Sequence, residues 1–433
     1  MDPAPPIDNA TRPARAQFRV PRALFLGGNE VELLRGGDAL FPAMQAAIAR
    51  ARHEVWVATY IFHDDPAAQS LAASMIAAAR RGVRVRVVVD GFGSNRTLAA
   101  LQRLFDGSGV ALAVFRPIDR WWRWLQPGQL RRLHHKLCAV DGDTGFVGGI
   151  NLIDDRNDLN HGWSDLPRLD FAVRVRGPVV AAIEQTARAL WLRAWFGRDF
   201  REEVLAIARS PEPVARARRM LARLRILPPR PELEAALHDQ SPVRCAFVVR
   251  DNLRQRRAIE RAYIEAIRGA RRRVDLVSPY FYPGSVFRRA LRDAARRGVR
   301  VRLLLQGKLD YRIAGLAAQV LYDELLAHGV RVYEYTPAFL HAKVAIVDDD
   351  WATVGSSNID PLSLLLNLEA NVIVRDREFT ARLTDEFEAA VAVSREVNAE
   401  HLGPRGFWRT LQRGLVAWVA HVYLRLAGIT GRY

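Results

Sequence analysis

Between Ala47 and Gly91 the apolar positions of the chain change their spacing in a fixed order. The stretch "AIARARHEVWVATYIF" (Ala47–Phe62) reads as the end of a helix running into a buried strand. After a loop, "AARRGVRVRVVVDG" (Ala78–Gly91) reads as a second helix end, a glycine turn and another apolar strand. The order then recurs in "AIRGARRRVDLVSPYF" (Ala266–Phe281) and "AARRGVRVRLLLQG" (Ala294–Gly307). Apolar strands alternating with helices predict a mixed sheet flanked by helices, and the recurrence predicts two fused homologous α/β sandwich halves. A repeat period of about 210 to 220 residues is too long for a solenoid.

The pattern also suggests boundaries. Residues 1–17, "MDPAPPIDNATRPARAQ", have prolines and acids where an export signal needs a basic start and an apolar run, and read as a disordered lead. Residues 18–200 form the first half and 241–400 the second. Between them, 201–240 is a linker with Pro211, Pro213, Pro228, Pro229 and Pro231 around a short helix whose arginines, Arg216 to Arg225, read as a solvated face. In the tail, 401–433, the run "GLVAWVAHVYLRLAGI" is broken by His421 and Arg425 and falls short of the ~20 apolar residues a bilayer crossing needs. It reads as an amphipathic segment lying in a membrane interface, against the alternative of a core helix closing the second half.

Composition narrows the partners. The formal charge of +17 and pI of about 10.7 favour a polyanion, either nucleic acid or an anionic membrane surface. Only Cys138 and Cys245 are present, without metal-ligand spacing, so neither a disulfide framework nor a metal is expected, and a reducing cytoplasm is the simplest setting.

The distribution of lysine points to chemistry. Of 64 basic residues only Lys136, Lys308 and Lys343 are lysine. Lys136 and Lys343 share one frame: His134-x-Lys136 with Asp141 five residues on, then Gly148-Gly149-Ile150-Asn151, against His341-x-Lys343, Asp348 and Gly355-Ser356-Ser357-Asn358. In a strand, residues i and i+2 share a face, so each histidine and its lysine point into one site while His135 faces away. Lys308 has no counterpart frame; a contact to a headgroup phosphate and an incidental exposed position are equally open.

Two imidazoles and two ammonium groups in one pocket suit substitution at a phosphodiester. One histidine attacks phosphorus, the other protonates the departing oxygen, and the lysines hold the non-bridging oxygens as charge builds. A compact ammonium would fit where a planar guanidinium would not, so Lys136→Arg is expected to abolish turnover. Each imidazole also needs an orienting acid. The strands "LDFAVRV" and "LEANVIV" align Asp170 with Glu369, and distance along the chain pairs His341 with Glu369, 28 residues on, and His134 with Asp170, 36 residues on.

The two frames are the HxKxxxxD signatures of the phospholipase D superfamily, and the resemblance covers roughly residues 20 to 400. The stretches "GGIN", "RGPVV" and "SSNIDPLSLLLNLEANVIV" resemble bacterial cardiolipin synthases, in particular the shorter type without N-terminal membrane helices. The resemblance implies a phospholipase D fold with its active site at the pseudo-twofold interface. It also implies cofactor-free, metal-independent phosphatidyl transfer through a phosphohistidine, from one phosphatidylglycerol to a second with release of glycerol. Position by position it makes His134, Lys136, Asp141, His341, Lys343 and Asp348 catalytic, with His134 favoured as nucleophile by family habit. Asn151, Asn358 and Ser356 would bind phosphate, and Asp170 and Glu369 support the histidines. Two positions depart from the family: Gly149 stands where serine is common, removing one possible phosphate donor, and Leu362 where arginine is common.

Just before the first frame, Trp121, Trp122 and Trp124 alternate with arginines, which suits a lipid headgroup boundary better than packing against the other half. The expected setting is therefore the cell membrane, peripheral or monotopic on its cytoplasmic face. No nucleic-acid partner is expected, and no oligomer is required because both halves lie in one chain. A phospholipase D-type hydrolase, a nuclease of the superfamily and a non-enzymatic membrane-binding protein are the rival readings. The nuclease uses the same positive charge but has no need of tryptophans or an apolar tail.

Overall fold

The computed structural model describes residues 23–117, 131–159, 161–208, 239, 241–251, 255–307, 322–360 and 367–398, with side chains along the first long inner helix described as far as Trp195. The lead before residue 23, the Trp121–Trp124 segment, the linker helix, Lys308, Leu362 and the tail all lie outside the described residues.

Two sheets carry the fold. The first contains β1 (Glu30–Arg35), β2 (Glu54–Thr59), β3 (Arg84–Asp90), β4 (Ala111–Phe115), β5 (Leu137–Val140), β6 (Thr144–Gly148) and β9 (Phe171–Arg176), in the order β1-β9-β6-β5-β2-β3-β4. A hairpin of β7 (Asn157–Asp158) and β8 (Gly162–Trp163) stands apart between β6 and β9. The second sheet contains β10 (Arg244–Arg250), β11 (Arg273–Ser278), β12 (Arg300–Gln306), β13 (Arg331–Tyr335), β14 (Val344–Val347), β15 (Trp351–Gly355), β16 (Glu369–Arg375) and β17 (Arg395–Glu396). Its order, β10-β16-β15-β14-β11-β12-β13-β17, is the first order repeated with one edge strand added. In each half three neighbouring strands toward one side of the sheet, β2-β3-β4 and β11-β12-β13, run parallel and the other pairs are antiparallel, the mixed sheet that the repeated pattern predicts.

Apolar residues on both faces of these strands create three cores. On the outer face of the first sheet, α1 (Gly36–Arg50), α2 (Pro66–Arg80) and α3 (Leu98–Phe105) cover Val55, Val57, Val85 and Val87. On the outer face of the second, α5 (Ala258–Gly269) and α6 (Ser285–Arg296) cover Val274, Leu276, Val301 and Leu303. The inner faces share one core across both halves, filled by Val173, Val175, Val372 and Val374 together with α4 (Val180–Ala208) and α7 (Arg377–Ala392).

Two boundaries differ from those read in the sequence. Helix α4 continues to Ala208, past residue 200. Leu26 pairs with Cys245, backbone to backbone at 2.8 and 2.9 Å, so the segment before β1 joins the second half's sheet. Local chemistry sets the loops at the strand ends. Asp65 caps α2 through Ala68 N at 3.0 Å and also accepts Asp154 N at 2.8 Å, tying the helix to the loop that follows Asn151. Such a cap contributes about 1 kcal/mol.

Candidate active site

The histidines stand where the two halves are stitched together. Leu133 and Leu368 form one parallel bridge and Leu169 and Leu340 the other. His134 N donates to Leu368 O at 3.0 Å and His341 N to Leu169 O at 2.9 Å. Each half braces its own histidine from below. Asp90 Oδ2 accepts Leu133 N at 2.9 Å, and Gln306 Oε1 accepts Leu340 N at 3.0 Å. Asp90 and Gln306 are the one position at which the ends of the repeats "VVVDG" and "LLLQG" differ in polar chemistry, and both carry an acceptor.

The acids cross between the halves, which corrects the pairing read from chain distance. Both carboxylate oxygens of Glu369 stand 3.0 Å from His134 Nδ1. Asp170 Oδ2 stands 2.6 Å from His341 Nδ1. The physical reason is the stitching: the residue before each acid bridges to the residue before the opposite histidine, so each carboxylate arrives beside the other half's ring. Because Nδ1 faces an acid in both rings, Nε2 is the nitrogen left for chemistry.

The electrostatics are those of one shared, buried site. Burial lowers both imidazoles; Glu369 partly offsets this for His134, whereas Lys343, Arg168 and Lys136 add to it for His341, which falls well below the usual range. Burial also lowers Lys136 to about 7 and Lys343 to about 8, and raises Asp170 to about 6. Each lysine folds back onto its own histidine's carbonyl, Lys136 Nζ on His134 O at 2.9 Å and Lys343 Nζ on His341 O. Lys136 feels Lys343 and both acids, and His341 feels His134, so the two frames occupy one cleft.

The remaining candidates divide. Asn151, buried at the end of the first frame, uses Oδ1 to accept Ile61 N at 3.3 Å and has no protein partner for Nδ2 among the described residues. Asn358 is buried with Oδ1 lacking a partner among the described residues. Ser356 is not placed as a phosphate donor: its hydroxyl donates to Glu369 Oε2 at 2.5 Å and accepts Ala370 N at 3.1 Å. Asp141 and Asp348 are not at the reacting centre either. Each sits at the far end of its strand in a left-handed turn, φ 51°. Asp141 accepts the backbone N–H of Arg52, His53 and Glu54, and Asp348 those of Arg271, Arg272 and Arg273. Their part in the frame is to fasten β5 to β2 and β14 to β11. His135 is fully buried, with both ring nitrogens unpartnered among the described residues, and burial drives it down to about 3.

Two residues at the cleft escaped the sequence reading because neither recurs. Tyr60 lies with its ring centroid 5.0 Å from that of His134 and 5.4 Å from Lys136 Nζ, and the repeat has Pro279 in its place. Arg168, two residues before Asp170, bears on His341 and Lys343, and the repeat has Asn367 there.

Two like sheets that bring paired His-x-Lys strands and crossed carboxylates to one cleft define a phosphoryl-transfer centre of the phospholipase D class. Residues 44–163 and 263–391 match the family described as "Cardiolipin synthase, PLD-like domain". The chain is 37% identical over 391 residues to cardiolipin synthase B of Salmonella typhi, covering 90% of this chain and 87% of that protein. It is 34% identical over 396 residues to cardiolipin synthase B of Escherichia coli K12, with coverage of 90% and 87%. Among solved structures, the phosphatidylserine synthase of Haemophilus influenzae Rd KW20 superimposes with a TM-score of 0.64 at 12% identity, covering 94% of this chain and 97% of that one, a likeness of fold. The chain belongs to the cardiolipin synthase family, phosphatidyltransferases of the phospholipase D superfamily. Among the described residues no helix is long and apolar enough to cross a membrane.

Proposed function

We propose that the protein makes cardiolipin by transferring a phosphatidyl group from one phosphatidylglycerol to another. The observation that carries the reading is the crossed pairing, which gives each imidazole a carboxylate at Nδ1 and leaves both Nε2 atoms to the cleft. In the first step one Nε2 attacks phosphorus while the opposite imidazolium protonates the glycerol oxygen that departs. In the second step the now neutral imidazole takes the proton of the acceptor's hydroxyl, whose oxygen displaces the first histidine. Lys136, Lys343, Asn151 and Asn358 hold the phosphate oxygens, and Asp170 and Glu369 stabilise each imidazolium as it forms.

The substrate is a bilayer lipid, and several exposed apolar residues support contact with a membrane surface. Exposed Phe92 follows β3, Tyr280 follows β11, Val286 opens α6, and Trp163 and Leu166 belong to the excursion between β6 and β9. Phe92 and Tyr280 leave β3 and β11 at the end where the histidines stand, and with the net charge of +17 these exposed apolar residues suit an anionic membrane surface. Trp163→Glu is expected to weaken sedimentation with phosphatidylglycerol vesicles about tenfold. Unaltered sedimentation would remove this membrane contact from the proposal.

Incubation with phosphatidylglycerol alone, followed by mass spectrometry of the lipids, tests the reaction. Cardiolipin and glycerol in equal amounts are expected. Phosphatidic acid in place of cardiolipin would make the protein a hydrolase. Intact lipid beside a nicked oligonucleotide would make it a nuclease.

A further inference from the structure

The two histidines and two lysines can neutralise one phosphate, yet transfer between two phosphatidylglycerol molecules brings two phosphodiester anions together. The acceptor's phosphate lies one glycerol length from the hydroxyl that reacts, so a further cation is needed just outside the four-residue centre and on the side from which the acceptor enters.

Arg168 lies just outside that centre, beside His341. It precedes Leu169, whose carbonyl accepts both His341 N at 2.9 Å and Ala342 N at 3.0 Å, so its backbone is fixed against the second histidine. Its guanidinium is anchored from behind, Nη2 on Asn157 O and Nε on Asp155 O at 3.4 Å, while Nη1 makes no protein hydrogen bond among the described residues. The side chain is 11% exposed, which combines a largely desolvated cation with an open edge. Its nearest acid, Asp155 Oδ1, stands 3.9 Å away, and burial raises Asp155 to about 7, so the counter-charge is weak. The influence of Arg168 on both His341 and Lys343 agrees with this placement. The second half has Asn367 at the matching position, so the extra cation serves one side of the cleft only.

We propose that Arg168 binds the phosphate of the acceptor lipid, which assigns acceptor entry to the His341 side and rests on the phosphatidyl-transfer reading. His341 Nε2 is then the base that takes the acceptor's hydroxyl proton. As the new O–P bond forms, the P–N bond to His134 breaks and its electron pair returns to the imidazole. The proton left on His341 serves the next departing glycerol, so the cycle closes without another reactant.

The experiment offers the enzyme phosphatidylglycerol vesicles together with ethanol, an acceptor without charge, and measures the ratio of cardiolipin to phosphatidylethanol. Arg168→Gln is chosen because it keeps hydrogen-bonding capacity toward the Asn157 and Asp155 carbonyls. The ratio is expected to fall about 10- to 100-fold, and Arg168→Lys to recover part of it. A ratio within about twofold of the parent, with both products reduced together, would make Arg168 a scaffold residue and overturn the proposal. A parent protein that forms neither product from phosphatidylglycerol would instead overturn the phosphatidyl-transfer reading itself.

Discussion

The two halves solve the same problem at the acid in different ways. In the second half Ser356 stands between Glu369 and the backbone, accepting Ala370 N at 3.1 Å and donating to Glu369 Oε2 at 2.5 Å. In the first half the acid is one methylene shorter and no serine is present; Asp170 Oδ1 itself accepts the equivalent Phe171 N at 2.8 Å while Oδ2 holds His341. A side-chain carbon at Gly149 would collide with Asp170 Oδ1. Asp with Gly and Glu with Ser are therefore matched sets. The missing hydroxyl at 149 costs no phosphate contact, because its counterpart at 356 is directed at the acid.

The largest test of the likeness between the halves removes each histidine. His134→Ala and His341→Ala are both expected to lower cardiolipin formation by about 10⁴-fold or more. A p-nitrophenyl phosphodiester, whose leaving group needs no proton, should then separate them. His341→Ala is expected to retain a burst of nitrophenolate and His134→Ala to lose it; equal behaviour would break the assigned difference in roles.

Next in size are the acids. Glu369→Ala is expected to slow turnover about 10³-fold and to move the imidazole ¹⁵N resonances of His134 while leaving those of His341 in place. The opposite pattern would restore pairing within each half.

The matched sets predict a rescue. Gly149→Ser alone should cost about 10- to 100-fold in kcat through the collision with Asp170, and adding Asp170→Glu should recover most of it. Additive losses in the double variant would show that the two corners are not interchangeable.

The smallest effect is on pH. Asp170, raised to about 6, must lose its proton to hold His341, so kcat/KM should rise with pH up to that value. Lys136 and Lys343, lowered to about 7 and about 8, bind phosphate only while charged, so kcat/KM should fall as pH passes through those values. The acid limb approaches about tenfold per pH unit and the basic limb steepens toward about a hundredfold once both lysines lose their charge, and a profile level from pH 5 to 9 would contradict both assignments.

The repeated sheet order was legible because the same apolar spacing occurs twice, and the frame's histidines and lysines because their alternate positions share a strand face. Recurrence flagged Asp141 and Asp348 with equal force, yet they recur because each half needs a clamp on the strand beside its frame. Chain distance misled the acid pairing, since it is blind to a contact made across a bridge between the halves. Tyr60 and Arg168 left no trace in a search for repeats because Pro279 and Asn367 stand opposite them. The difference between halves is where one-sided chemistry has to be sought.

The crossed carboxylates make the centre a mutual arrangement. Neither half carries a correctly oriented imidazole by itself, so a small rotation of one half against the other would disable attack and proton donation in the same movement. Inactivation should accordingly be all-or-none with respect to interdomain docking, with loss of turnover preceding loss of either sheet when the protein is gently unfolded.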